Sequence, residues 1–194
     1  MSVSITTRLA DINDCAALAH IHVAGWRAAY GGMVDDEYLA GLREDEFATK
    51  WQSWLNEGTA PLLAIDEATK TPVGFVSYGK VRTAPPGSSP IRPPYTAEIY
   101  AIYILPDFWR IGIGTRLLKK SVANLYENKH KSVCLWVVDK NKRAVSFYKK
   151  YGGQKCGKQQ IEIGPSSVQE ICFGWRNTDQ MIGDMPLKNN SGKS

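Results

Sequence analysis

The stretch Ile104-Leu-Pro-Asp-Phe-Trp-Arg-Ile-Gly-Ile-Gly-Thr-Arg-Leu-Leu118 carries more information than any other part of the chain. An apolar strand, 97–105, stops at Pro106. A short basic turn with two glycines follows, and a helix then opens with Leu117 and Leu118. The first amides of a helix have no partner within it, and the helix dipole adds positive potential at the same place. A strand feeding such a turn can therefore hold an anion, and Gly112 and Gly114, lacking a Cβ, let a phosphate approach the backbone closely. A nucleotide P-loop is disfavoured, because the helix opens Gly114-Thr115-Arg116 rather than Gly-Lys-Ser/Thr.

Working downstream, 112–128 places Leu118, Val122 and Leu125 at helical spacing, and 131–138 is an almost wholly apolar strand of the kind covered on both faces. A short helix over 141–151 carries Ala144, Phe147, Tyr148 and Tyr151 on one stripe and stops at Gly152-Gly153. Two late strands are expected around 159–163 and 169–175. Upstream, 4–9 reads as a strand and 11–30 as a helix, capped by Asp11 or Asn13 and stopped by Gly31-Gly32. A second helical pattern over 35–55 is interrupted near Gly41. Strands over 61–66 and 73–82 are joined by a turn at 67–72. Five of the twelve residues from Thr83 to Pro94 are proline, which predicts a long irregular loop.

Helices alternate with strands only in the second half, so the fold class is α+β, with a mixed central sheet of about six to seven strands flanked by about four helices. The 97–138 unit should be a right-handed crossover between parallel strands. The organisation expected is one domain over 1–176 and a flexible tail over 177–194.

The chain has 194 residues, 43% of them hydrophobic and 22% charged, the composition of a globular domain. No run approaches the roughly 18 apolar residues of a membrane span, and the first residues lack a signal-peptide core, so a cytoplasmic protein without membrane contact is expected. Cys15, Cys134, Cys156 and Cys172 are scattered, and the three histidines lack the spacing of a helical zinc site, so no metal is expected. The net charge of +5 is spread along the chain, with local clusters at Arg110/Arg116 and Lys140/Lys142/Arg143. That pattern suits a small phosphorylated ligand better than nucleic acid.

Three segments in this order, Glu98 to Pro106, Arg110 to Leu118 and Asn141 to Gly152, resemble the GNAT N-acetyltransferase superfamily, and the likeness extends over about 5–175. The resemblance implies the GNAT fold, with a splayed parallel strand pair, and acetyl-CoA as co-substrate. It implies that Arg110, Ile111, Gly112, Ile113, Gly114 and Thr115 hold the coenzyme A diphosphate, that main-chain groups of Ile102, Tyr103 and Ile104 bond the pantetheine arm, and that Asn141 contacts the cofactor. Tyr148 stands where many members protonate the leaving thiolate, and Glu98 where some keep a catalytic carboxylate. Trp109 occupies a position at which the family usually has Gln or Arg, and Gly153 one at which it often has Phe.

Acetyl transfer to an amine needs the amine neutral, and a carboxylate set among Ile99, Tyr100 and Ile102 suits the base. Tyr148 suits the acid. Structural roles for both, and a capping role for Asn141, remain alternatives at this point. Trp26, Tyr30, Tyr78 and Tyr100, with Tyr95, are candidates for an apolar or cation-accepting acceptor pocket. The function expected is direct transfer of an acetyl group to a primary amine of a small molecule or peptide. A non-catalytic coenzyme A-binding module and a transferase of longer acyl groups are the alternatives. Edge exchange by the strands around Ile161 and Phe173 would make a homodimer.

Overall fold

The computed structural model describes residues 4–85 and 94–183. Seven strands form one sheet in the order β1-β2-β3-β4-β5-β7-β6. They are β1 (Ile5–Leu9), β2 (Leu62–Asp66), β3 (Thr71–Lys80), β4 (Ala97–Ile104), β5 (Val133–Val138), β6 (Gln154–Ile163) and β7 (Ser166–Trp175). The helices are α1 (Cys15–Tyr30), α2 (Asp36–Ala40), α3 (Glu44–Asn56), α4 (Ile113–Glu127), α5 (Lys142–Lys150) and α6 (Thr178–Gly183). The α+β class and mixed sheet follow the sequence reading, and the interrupted pattern over 35–55 resolves into α2 and α3 on either side of Gly41.

Local chemistry accounts for these boundaries. Asp11 and Asp14 form a reciprocal capping box at the turn that leads into α1. Two 2.7 Å hydrogen bonds from the Arg8 guanidinium hold Asp14 to β1. Asn141 caps α5 by accepting from the Ala144 N–H at 3.1 Å. The apolar stripe of α4, Leu117, Leu118, Val122 and Leu125, is buried against Val76, Ile99, Leu135 and Phe173. On the opposite sheet face, Leu18 and Ile21 of α1 join Phe47 and Trp51 of α3 over Leu63 and Phe75. All five residues of β2 are buried, which its near-continuous apolar run requires.

Two irregularities shape the middle of the sheet. Tyr78 pairs with Ile99 but Ser77 pairs with Ala101, so Tyr100 is an extra residue in β4. Such a bulge inverts the alternation of side chains along a strand. Beyond it, Ala101 and Tyr103 pack with α1 and α3, whereas Ile102 and Ile104 pack with α4. The second irregularity is the parallel pair itself. β4 and β5 pair only through Ala97–Ile99 and Val133–Leu135. β4 nevertheless runs on to Ile104 and β5 to Val138, so their C-terminal halves diverge.

The expectation of a flexible tail from 177 needs correcting over its first residues. Thr178 to Gly183 are helical, with Thr178 and Met181 buried. The Thr178 N–H donates to the Lys131 carbonyl at 3.0 Å and its hydroxyl to that of His130 at 3.2 Å. A polar segment with one well-spaced methionine hides this docking from a composition argument. Residues 184–194, and 86–93 of the proline-rich loop, lie outside the described residues.

Candidate active site

The divergence of β4 from β5 opens a cavity of about 790 Å³. Its walls are 99–104 of β4, 135–137 of β5, 108–116 of the loop and first turn of α4, one face of α5, and Gly25, Ala29 and Tyr30 of α1. A Cβ on Gly25 would lie 2.7 Å from the Tyr103 ring, so only glycine lets α1 come this close to β4.

The loop end of the cavity is built from backbone. Gly112 is the N-cap of α4 at φ 94°, and Arg110 also lies in the left-handed region at φ 65°. The first intrahelical bond runs from the Arg116 N–H to the Gly112 carbonyl at 3.1 Å, so the amides of Ile113, Gly114 and Thr115 precede the helical ladder. Nothing lies within 4 Å of the position a Gly112 Cβ would take. Trp109 turns inward: its indole N–H donates to the Ile104 carbonyl at 2.8 Å, and the Arg143 guanidinium lies 3.3 Å over its ring. Burial, and then the charge of Arg110, hold the Arg143 pKa below its ordinary value. Two cations thus crowd one another at a loop rich in exposed amides. Arg143, Trp109 and Tyr151, whose hydroxyl lies 2.6 Å from that of the sequence-selected Thr115, were not selected from sequence. The only available signal was the basic cluster around Arg143.

Asn141 and Tyr148 line the cavity from α5, each only 8% exposed. Burial pushes the Tyr148 phenol well above its ordinary value, with a smaller contribution from Tyr30. The Tyr30 and Tyr103 hydroxyls are 3.3 Å apart on the α1 side, and both are raised, chiefly by burial. Sequence reading considered only the main chain of Tyr103; the bulge at Tyr100 brings its ring to Tyr30.

Other selected residues lie elsewhere. Glu98 does not line this cavity. Its Oε2 accepts the N–H groups of Arg82 and Thr83 at 2.7 and 2.8 Å, pinning the end of β3 to β4. Burial raises its pKa, and those two bonds oppose the rise. Glu170, missed in the sequence, is raised by burial and, against the Gln159 bond, by the nearby Glu98. Tyr100 lines the cavity, donates to the Lys80 carbonyl at 2.6 Å and lies 3.6 Å beneath the Arg82 guanidinium. Trp26 lines a smaller cavity on the α1–α3 side. Tyr78 must be removed from the acceptor candidates. Alternation in β3 points it at α4, where its hydroxyl accepts from Asn124 at 2.8 Å, and it borders neither cavity. Tyr95 is buried against Cys134 and Cys172.

A cleft between diverging parallel strands, closed at one end by a helix-opening amide loop, defines an acyltransferase scaffold. Residues 26–153 match the Acetyltransferase (GNAT) family, and the chain belongs to that family and is an N-acetyltransferase. It is 32% identical over 171 residues to the uncharacterized N-acetyltransferase YuaI of Bacillus subtilis (strain 168), covering 88% of this chain and 92% of that one. Among solved structures, PaiA N-acetyltransferase of Thermoplasma acidophilum, in complex with coenzyme A, has a TM-score of 0.65 at 21% identity, covering 87% of this chain and 98% of that one. YncA of Salmonella typhimurium, with acetyl-CoA, has a TM-score of 0.64 at 17% identity, with 89% and 93% covered. These two show the shared fold. Among the described residues no helix is long and apolar enough to cross a membrane.

Proposed function

We propose that this protein transfers an acetyl group from acetyl-CoA directly to a primary amine of a small molecule or peptide, within one ternary complex. The observation that carries this reading is a single cavity bordered by the 110–115 loop, by the half of β4 that has parted from β5 and by Tyr148. The loop suits a diphosphate on its own chemistry: amides ahead of the helical ladder, open space over Gly112, and crowded Arg110 and Arg143 that an anion would relieve.

Acetyl-CoA supplies the thioester. Ile102 and Tyr103 orient it through the β4 main chain, while the Ile104 carbonyl is already bonded to Trp109. Asn141 keeps its Oδ1 on the α5 cap and lies beside the arm. The acceptor ammonium loses its proton through water to Glu98, whose raised pKa makes it a better base than an ordinary carboxylate. The amine nitrogen then bonds to the acetyl carbon while the carbonyl electrons move to oxygen, where a β4 N–H stabilises them. The oxygen electrons then re-form the carbonyl as the carbon–sulfur bond breaks; Tyr148, held protonated by burial, gives its proton to the departing sulfur and regains one from the nitrogen, which leaves the amide. No covalent acetyl-enzyme is needed.

Thermal-shift titration with acetyl-CoA followed by a thiol-release screen over amines and peptides tests the reading. Stabilisation with amine-dependent thiol release is expected. No stabilisation at millimolar acetyl-CoA would overturn the cofactor assignment, and stabilisation without turnover would favour a binding module.

A further inference from the structure

Buried nitrogens without a hydrogen-bond partner gather at one place, Nδ1 of His22 and Nε1 of Trp51, with Nε1 of Trp26 directed at the Tyr103 hydroxyl. All three residues line the second cavity, about 200 Å³ between α1, α3 and the adjoining strands β3 and β4. His22 is 8% exposed and Trp51 only 2%. An unmade hydrogen bond at a buried polar atom is costly, and such atoms in folded proteins are nearly always bonded. An indole N–H donates and cannot accept, so whatever completes this cavity must offer lone pairs. Its volume is several times the roughly 30 Å³ share of one liquid water. Arg82 also lines it, and none of the described lining residues is acidic. Tyr100, Ala101 and Tyr103 border both cavities, so the two lie side by side along β4.

We infer that the side cavity receives a carboxylate of the acceptor, and that the substrate is a primary amine carrying a carboxylate, as a free amino acid does. The inference rests on the acetyltransferase reading and names its acceptor class. A carboxylate offers about four lone-pair directions to the two indoles, the imidazole and the Arg82 guanidinium. A second cationic group is disfavoured there by Arg82, and by the burial and Lys50 charge that hold His22 neutral with its pKa near 4.

The test begins with an acetyl-CoA titration and continues with free L-amino acids, each compared with its amide and its decarboxylated amine. Indole ¹⁵N signals of Trp51 and Trp26 report occupancy independently of turnover. Expected are a kcat/KM at least about tenfold higher for the acid of a matched set, and indole shifts with the acid alone. Arg82→Gln and Trp51→Phe should each raise KM for the acid without changing acetyl-CoA affinity. Equal rates across a matched set, unmoved indole signals, or acetyl-CoA binding with no acid acetylated would each overturn the inference. Failure to bind acetyl-CoA would instead remove the reading on which it rests.

Discussion

The guanidinium of Arg143, at the start of α5, lies 3.3 Å over the indole ring of Trp109, in the loop after β4. The pair bridges the mouth of the cleft, and Trp109 is fastened in turn to the Ile104 carbonyl. Arg143 is therefore fixed next to Arg110 before any ligand arrives, which preorganises the positive end of the cavity. Arg143→Met should weaken acetyl-CoA binding about tenfold, or ~1.4 kcal/mol, with a smaller salt dependence than the parent. Calorimetry at two ionic strengths checks this; an unchanged Kd would leave the guanidinium a packing group.

Gly112 adopts φ 94° in open space, so a side chain there meets backbone strain rather than contacts. Gly112→Val should cost on the order of 1–3 kcal/mol of stability and remove acetyl-CoA binding. Gly112→Asn, which tolerates this conformation better, should recover the melting temperature but not the affinity. Recovery of both would show that no phosphate approaches the loop here.

Tyr148→Phe should lower kcat by about 100-fold or more with acetyl-CoA affinity unchanged. Because burial raises the phenol above its ordinary value of 10.0, it stays protonated through neutral and mildly basic pH. The parent rate should therefore not decline with rising pH on account of this group. Equal turnover in the variant would reduce Tyr148 to a core residue.

As the proposed base Glu98 would act in its charged form, and burial raises its pKa, so kcat/KM should fall with decreasing pH sooner than an ordinary carboxylate would dictate. Glu98→Gln should lower the rate and abolish that acidic limb. A variant whose pH profile superimposes on the parent's would assign Glu98 to tethering Arg82 and Thr83 alone.

His22 has its pKa lowered from 6.5 to about 4, first by burial and then by Lys50. The depressed value means stability is complete above pH 6.5 and drains away as pH falls through about 4. Urea unfolding at pH 7 and pH 4 should differ by on the order of 2 kcal/mol more in the parent than in His22→Gln. Identical differences would show that the imidazole is charged, or solvated, in the folded protein.

Much of this architecture was readable from local patterns. Leu118, Val122 and Leu125 at helical spacing, the Gly112 turn, the Asn141 cap and the apolar run of β5 depend on neighbours a few residues away, and propensity, capping and burial act at that range. The 110–115 loop and Asn141 belong to this group, and they and Tyr148 line one cavity. The docking of α6 was not readable, because its stabilising partners, His130 and Lys131, are remote in sequence.

The chain's own order of residues determined the elements, the glycine-bearing turn before α4 and the mixed sheet, since each follows from backbone conformation and hydrophobic period. Tertiary structure alone decided which way side chains face near the cleft. One extra residue at Tyr100 turns Tyr103 toward α1, while Tyr78 on the neighbouring strand points to α4 and borders neither cavity. It also brought His22, Trp51 and Arg82 from three separate elements around a single space. A strand's side-chain direction depends on its register with the next strand, and a cavity on packing between distant segments; neither is encoded at the range over which a sequence pattern can be read.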